Sequence, residues 1–210
     1  MDPESPAVFD AASFRWRLKS ETAATHRRLE AQLGLLDRRL DVHRYRCVLE
    51  TFYGFYVPVE TDVARLAAAQ PPLAFPLRTR AELIGRDLLA LGLSPADLTG
   101  LALCDDRPAL TTFEDLAGCL YVLEGACLGG QIVAPLMSSR LGVAKDRGAS
   151  FFAGDEERTL QRWAVVVAWL GSLPDSGASP DRIIDAAKAT FGAFARWAAL
   201  AREDCHGRPE

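Results

Sequence analysis

The stretch from Leu116 to Met137, LAGCLYVLEGACLGGQIVAPLM, decides the fold. It is long enough to span a membrane and holds a single charge, Glu124. It also contains Gln131, Pro135 and four glycines, and Glu114 and Asp115 precede it without nearby cations. That composition reads as the buried core helix of a globular protein. Thr111-x-x-Glu114 has the spacing of a capping box and predicts where the helix starts. Gly142 predicts where it stops.

Helix signals recur on both sides of this stretch. The first helix is predicted from Asp10 or Ser13 to just before Gly34. Asp41 is placed to cap a second, which carries Phe52, Tyr53, Phe55 and Tyr56, and Pro58 should kink or end it. Gln70-Pro71-Pro72 is a break. Thr79 opens a helix closed by Gly92, and Ser94-Pro95 reads as N-cap and first helical position of a short one. Asp155 is placed to cap a helix running to Gly171. Leu173 to Gly177 is a turn, and Ser179-Pro180 opens a last helix to about Glu203. No run of alternating β-branched residues lies between turn signals, and no long repeat is visible. The expected class is all-α, a single bundle-like domain over 1–210, with about ten N-terminal and six C-terminal residues loose.

Composition narrows the function classes. At 49% hydrophobic and 25% charged residues the chain is ordinary globular protein, which excludes collagen-like and disordered classes. A net charge of −4 offers no whole-chain case for nucleic acid as partner. The charge is uneven, however: Ser13 to Arg46 carries a net +5, leaving −9 for the rest. The five cysteines are scattered and include no C-x-x-C, which argues against a disulfide framework or structural zinc and fits a reducing cytoplasm. The start, MDPESPAVFD, lacks an apolar core, so no secretory signal is expected there. With only His26, His43 and His206, sites needing several imidazoles are nearly excluded. Glu203-x-x-His206 has the spacing of a di-iron ligand pair, but a second such pair is missing.

Two segments carry chemistry. On a helix Lys19 and His26 lie within about 20° of each other, about 10 Å apart along the axis, with Thr22 and Ala23 between them. The stripe could offer an axial nitrogen to a haem iron and a cation to a haem propionate; a plain surface helix would also look like this. The second segment is Tyr121-Val-Leu-Glu-Gly-Ala-Cys-Leu-Gly-Gly-Gln131. Each interior glycine costs roughly 1 kcal/mol against alanine, so something compensates for them. Gly125 and Gly129 share a bare face that Gly130 broadens. Either a flat ligand or a tightly packed helix could approach it. Cys127 reads as a small buried thiol rather than a ligand. Phe191, Phe194 and Trp197 could wall a porphyrin pocket or fill a core, and Phe151 and Phe152 could line the pocket or anchor a loop.

Together, Thr22 to Glu30 near the N-terminus and Tyr121 to Gln131 resemble the haem oxygenase family, in particular the bacterial type found with bacteriophytochromes. The resemblance extends more weakly to Phe151-Phe152, to Trp163 and to Ala187-Lys-Ala-Thr-Phe191. It implies a helical fold that sandwiches haem between a proximal helix and a glycine-rich distal helix. His26 would be the proximal iron ligand, Lys19 a propionate partner, and Gly125, Gly129 and Gly130 the distal glycines, with Tyr121, Ala126 and Phe191 also at the haem. The implied reaction opens haem with O2 and external electrons to biliverdin, carbon monoxide and ferrous iron. Haem is then both cofactor and substrate. The implied partners are an electron donor such as a ferredoxin or a reductase, and a phytochrome as biliverdin acceptor; neither nucleic acid nor membrane is implied.

One position departs from the family. Many members carry an aspartate directly after the first distal glycine, where this chain has Ala126. Glu124 would face about 200° away from it on an ideal helix. The propionate-gripping basic residues of the penultimate helix are not clearly matched either, Arg158 and Arg162 being nearby candidates. A non-catalytic tetrapyrrole carrier, or an interaction bundle that has lost haem, therefore stand as alternatives.

Overall fold

The computed structural model describes residues 11–154 and 157–206. The N-terminal ten residues, the tail from 207 and Asp155 as a cap lie outside them. Among the described residues there are eight α-helices and no strand: α1 (Ala11–Leu33), α2 (Val42–Ala68), α3 (Ala81–Ala90), α4 (Pro95–Thr99), α5 (Phe113–Leu141), α6 (Ser150–Ala153), α7 (Glu157–Ser172) and α8 (Pro180–His206). A single 3-10 turn, Pro174–Ser176, joins the last two. The all-α expectation holds, and α8 runs three residues past the expected Glu203.

Helix α5 is the long core helix, but its cap sits one residue later than expected. The Thr112 hydroxyl accepts the Asp115 N–H, and the Asp115 carboxylate accepts the amides of Thr111 and Thr112. Glu114 is thereby released to accept the Ser179 N–H at 3.4 Å, at the start of α8. Gly142, at φ +68°, ends the helix as predicted. By length and composition α5 could cross a membrane. Its N-terminal half is instead buried through Leu123 and Glu124, packed against α2, α7 and α8.

Two helix boundaries differ from expectation for tertiary reasons. Of the two outcomes expected at Pro58, a kink or an end, the end does not occur: α2 continues ten residues beyond it. Proline removes the N–H that would reach the Gly54 carbonyl. The Cys104 N–H fills that vacancy at 2.9 Å, arriving from the loop after α4. Gly54 permits the approach, since a Cβ there would lie 2.5 Å from the Ala102 carbonyl and 2.6 Å from the Trp197 ring. Thr79 does not cap α3. The Glu60 carboxylate of α2 accepts the amides of Arg80 and Ala81 instead, so a distant acid does the capping.

Cysteine usage also departs from expectation. Cys47, on α2, is disulfide-bonded, while Cys104, Cys119 and Cys127 are free. One bridge is no framework, but it weakens the argument for a reducing compartment.

Helix α8 is the spine. It packs along both α1 and α5, and the residue pairs advance together along each contact, so both helices lie beside it in the same direction. On α1, Arg17 pairs with Asp181, Glu21 with Lys188, and the His26 ring meets Phe191. On α5, Gly118 abuts Ile183, Ala186 and Ala187, and the Cys119 thiol faces Thr190. A Cβ on Gly118 would fall 2.5 Å from the Ile183 carbonyl. Gly118→Ala should therefore push α5 off α8 and cost about 1–3 kcal/mol, as overpacking does. Urea denaturation checks this, and an unchanged midpoint would show that the two backbones are not in close contact.

Candidate functional site

Because α1 and α5 both run with α8, they run with each other. The Tyr121 phenol of α5 faces the Thr22 hydroxyl of α1, and Thr22 itself donates to the Leu18 carbonyl at 2.6 Å. Burial raises the pKa of Tyr121, and Thr22 partly offsets the rise. Four residues further on, His26 and Gly125 each lie about 6 Å along the axis. By helical rise the His26 and Gly125 positions thus stand near one level of the two helices.

Helices α1, α5 and α7 enclose a cleft of about 380 Å³. Arg15, Trp16, Leu18 and Lys19 line it from α1, Tyr121 from α5, and Trp163, Val167 and Leu170 from α7. Lys19 and Tyr121 therefore line one cleft. His26 stands beyond this lining with its side chain 51% exposed. The His26 imidazole tilts on Phe191, ring centres 5.3 Å apart, and its Nε2 is 3.6 Å from the Glu30 carboxylate. Arg27 and Arg28 are exposed beside it.

The glycines divide into three environments. A Cβ on Gly129 would meet nothing within 4 Å, so its face is open. One on Gly125 would touch the Trp163 ring at 3.5 Å. The group beside Gly125 is thus the edge of a tryptophan of α7. One on Gly130 would fall 2.2 Å from the Phe152 carbonyl. Packing against α6 accounts for Gly130, and it does not broaden the open face. Ala126 is half-buried.

Glu124 turns the other way, into a buried ion cluster. Its side chain is 5% exposed and meets Arg80, 7% exposed, at 3.3 Å. Arg162, 9% exposed, clasps it from α7: Nε donates at 2.8 Å to Oε2 and Nη2 to Oε1. Arg162 also donates to the Pro76 carbonyl at 2.9 Å and lies over the Phe75 ring. Burial pushes the Glu124 carboxyl up, but the two guanidinium groups outweigh it and hold the pKa below the usual range. The Cys127 thiol, half-buried, is hydrogen-bonded by Arg80, which opposes a rise caused by burial.

This arrangement corrects several sequence readings. Arg162 is engaged with Glu124 and does not serve the cleft, and Arg158 is exposed on α7. Helix α7 meets the cleft with Trp163, Val167 and Leu170, none of them cationic. Phe194 stacks on Phe55 at 4.2 Å, and Trp197 donates to the Thr51 carbonyl at 2.8 Å, so both belong to the core between α2 and α8. Phe151 and Phe152 are buried against Phe52 and anchor α6. Of the aromatic wall considered, Phe191 alone is at His26. The sequence reading did not single out Arg15, Trp16 or Arg80. Arg15 precedes Lys19 by four residues and could have been found by extending the Lys19–His26 stripe one turn; Arg80 left no signal.

The family model for haem oxygenase matches residues 12–199. The chain belongs to the haem oxygenase family. A search of curated proteins finds no match.

The ion cluster makes a stability prediction. Glu124→Leu leaves two buried guanidinium groups without their carboxylate, a change that costs about 3–5 kcal/mol. Denaturant unfolding should register that loss. A loss below about 1 kcal/mol would mean that water reaches the cluster.

Proposed function

We propose that the chain is a catalytic haem oxygenase of the phytochrome-associated type, which opens haem to biliverdin, carbon monoxide and ferrous iron. The observation that carries this reading is the placement of His26 level with Gly125 on two helices that run together beside one cleft. The residues fit the ligand. The cleft is walled by aromatic and aliphatic side chains and cations line its α1 side; outside that lining, further along α5, the backbone at Gly129 is open.

Bound there, haem supplies the iron that activates O2 and the meso carbon that is oxidised. His26 presents a ring nitrogen to the iron; Glu30, at 3.6 Å, is near enough to orient the ring. Lys19, with Arg15 one turn before it, offers positive charge to the two carboxylates. Gly129 leaves room above the ring that a side chain would occupy. Ala126 brings no acid to this face and Glu124 is turned away, so neither of them holds a proton for the reaction. Electrons come from an external donor such as a ferredoxin or a reductase. The exposed Arg27 and Arg28 beside His26 favour an acidic partner, and a phytochrome would accept the biliverdin.

Titrating hemin into the protein tests the reading. A Soret band that shifts or is lost in His26→Ala is expected, and with ascorbate or a ferredoxin system the biliverdin band should grow. No band, or one unchanged in His26→Ala, contradicts the ligand assignment. A bound haem that survives turnover conditions would favour a carrier, the reading that Ala126 supports. In the same titration Lys19→Ala should weaken hemin binding about tenfold, near 1.4 kcal/mol, as loss of a charge-assisted hydrogen bond does. Unchanged affinity would remove Lys19 from the site.

A further inference from the structure

Neighbouring residues of α7 grip neighbouring residues of α5. Arg162 clasps Glu124, and the Trp163 ring lies on Gly125, 3.5 Å from where a Cβ would be. The Trp163 ring also meets Tyr121, with centres 5.8 Å apart, and lines the cleft beside Lys19. On α7 the ion cluster is thus one residue removed from Trp163, the wall that a cleft ligand would touch, and on α5 it lies three residues beyond Tyr121, which lines the same cleft.

The clasp resists sliding in three ways. Arg162 makes two bonds to the Glu124 carboxylate, which fixes angle as well as distance. The Arg162 guanidinium is itself held by the Pro76 carbonyl and the Phe75 ring. Arg80 also holds Glu124, through the Oε2 that Arg162 Nε reaches, and Glu60 accepts two amides at the start of α3, including that of Arg80. Charged residues this deeply buried are poor sources of stability compared with apolar replacements, and they are best attested where a register must be specified. Here the register is that of α7 on α5.

We infer that Glu124, through Arg162, is a positioning residue that sets Trp163 against Gly125, and that Trp163 is a specificity-determining wall for the tetrapyrrole. The inference rests on the haem oxygenase reading. Trp163 restricts how a flat ring turns within its own plane, and so which meso carbon is presented for oxidation. Glu124 touches no ligand and acts only by holding that wall in place.

A mutant cycle on the full chain tests this, with hemin as probe and Glu124→Gln, Trp163→Phe and the double variant compared. Circular dichroism establishes folding first. Glu124→Gln should weaken hemin binding five- to tenfold and change the proportions of biliverdin isomers. Trp163→Phe should change the same proportions. In the double variant, Glu124→Gln should add less than about twofold, because coupled residues are not additive. Arg162→Lys keeps the charge but loses the two-pronged clasp; it should shift the isomers in the same direction, and it replaces Glu124→Gln in the cycle if that variant does not fold.

Fully additive effects, or isomer proportions unchanged in folded Glu124→Gln and Trp163→Phe, overturn the inference while wild-type turnover stands. A wild type that neither binds hemin through His26 nor forms biliverdin overturns the functional reading, and the inference with it.

Discussion

The close approach of α5 to α8 at Gly118 is the contact on which the site depends. A hydrogen in place of a methyl group lets the α5 backbone settle against Ile183, Ala186 and Ala187. With α5 seated there, its Tyr121 faces Thr22 of α1, which lies beside α8 in the same direction. The shared direction then carries His26 and Gly125 to one level by helical rise alone. Had α1 run against α5, the same residues would have diverged from the Tyr121–Thr22 contact.

Glycine has several separate roles along α5. Gly118 and Gly130 are bare because backbone from α8 and α6 fills the space, whereas Gly129 is bare with nothing near it. Gly125 carries the edge of a tryptophan. Sequence spacing groups Gly125, Gly129 and Gly130 into one face; packing separates them. Only an open glycine leaves room for a ligand, and α5 changes from buried to accessible just where that room begins.

Much of the fold was legible because its signals are local. Asp41, Ser94 and Gly142 cap or stop helices within a few residues of themselves, and the apolar run of α5 could only be buried in a bundle. The errors arose where a distant group satisfied a local need. Cys104 supplies the N–H that Pro58 cannot direct to Gly54, and Glu60 caps α3 in place of Thr79. The same reason hid the ion cluster: Glu124 is visible as a lone charge in an apolar run, but its partners lie 44 and 38 residues away. Lys19 and Tyr121, which line one cleft, were named through helical spacing and family resemblance; His26, named in the same way, lies outside that lining. Trp163 carried only a weak resemblance and Arg80 no signal; both acquire their roles from the helices that bring them to α5.

The central claim is that the ligand lies between His26 of α1 and the open backbone at Gly129 of α5. A crystal structure of the hemin complex tests it most directly. It should show the iron bonded to the His26 imidazole, the ring plane against the open backbone at Gly129, and the carboxylates towards Lys19. Hemin held by another residue, or seated away from the α1–α5 cleft, would contradict the account.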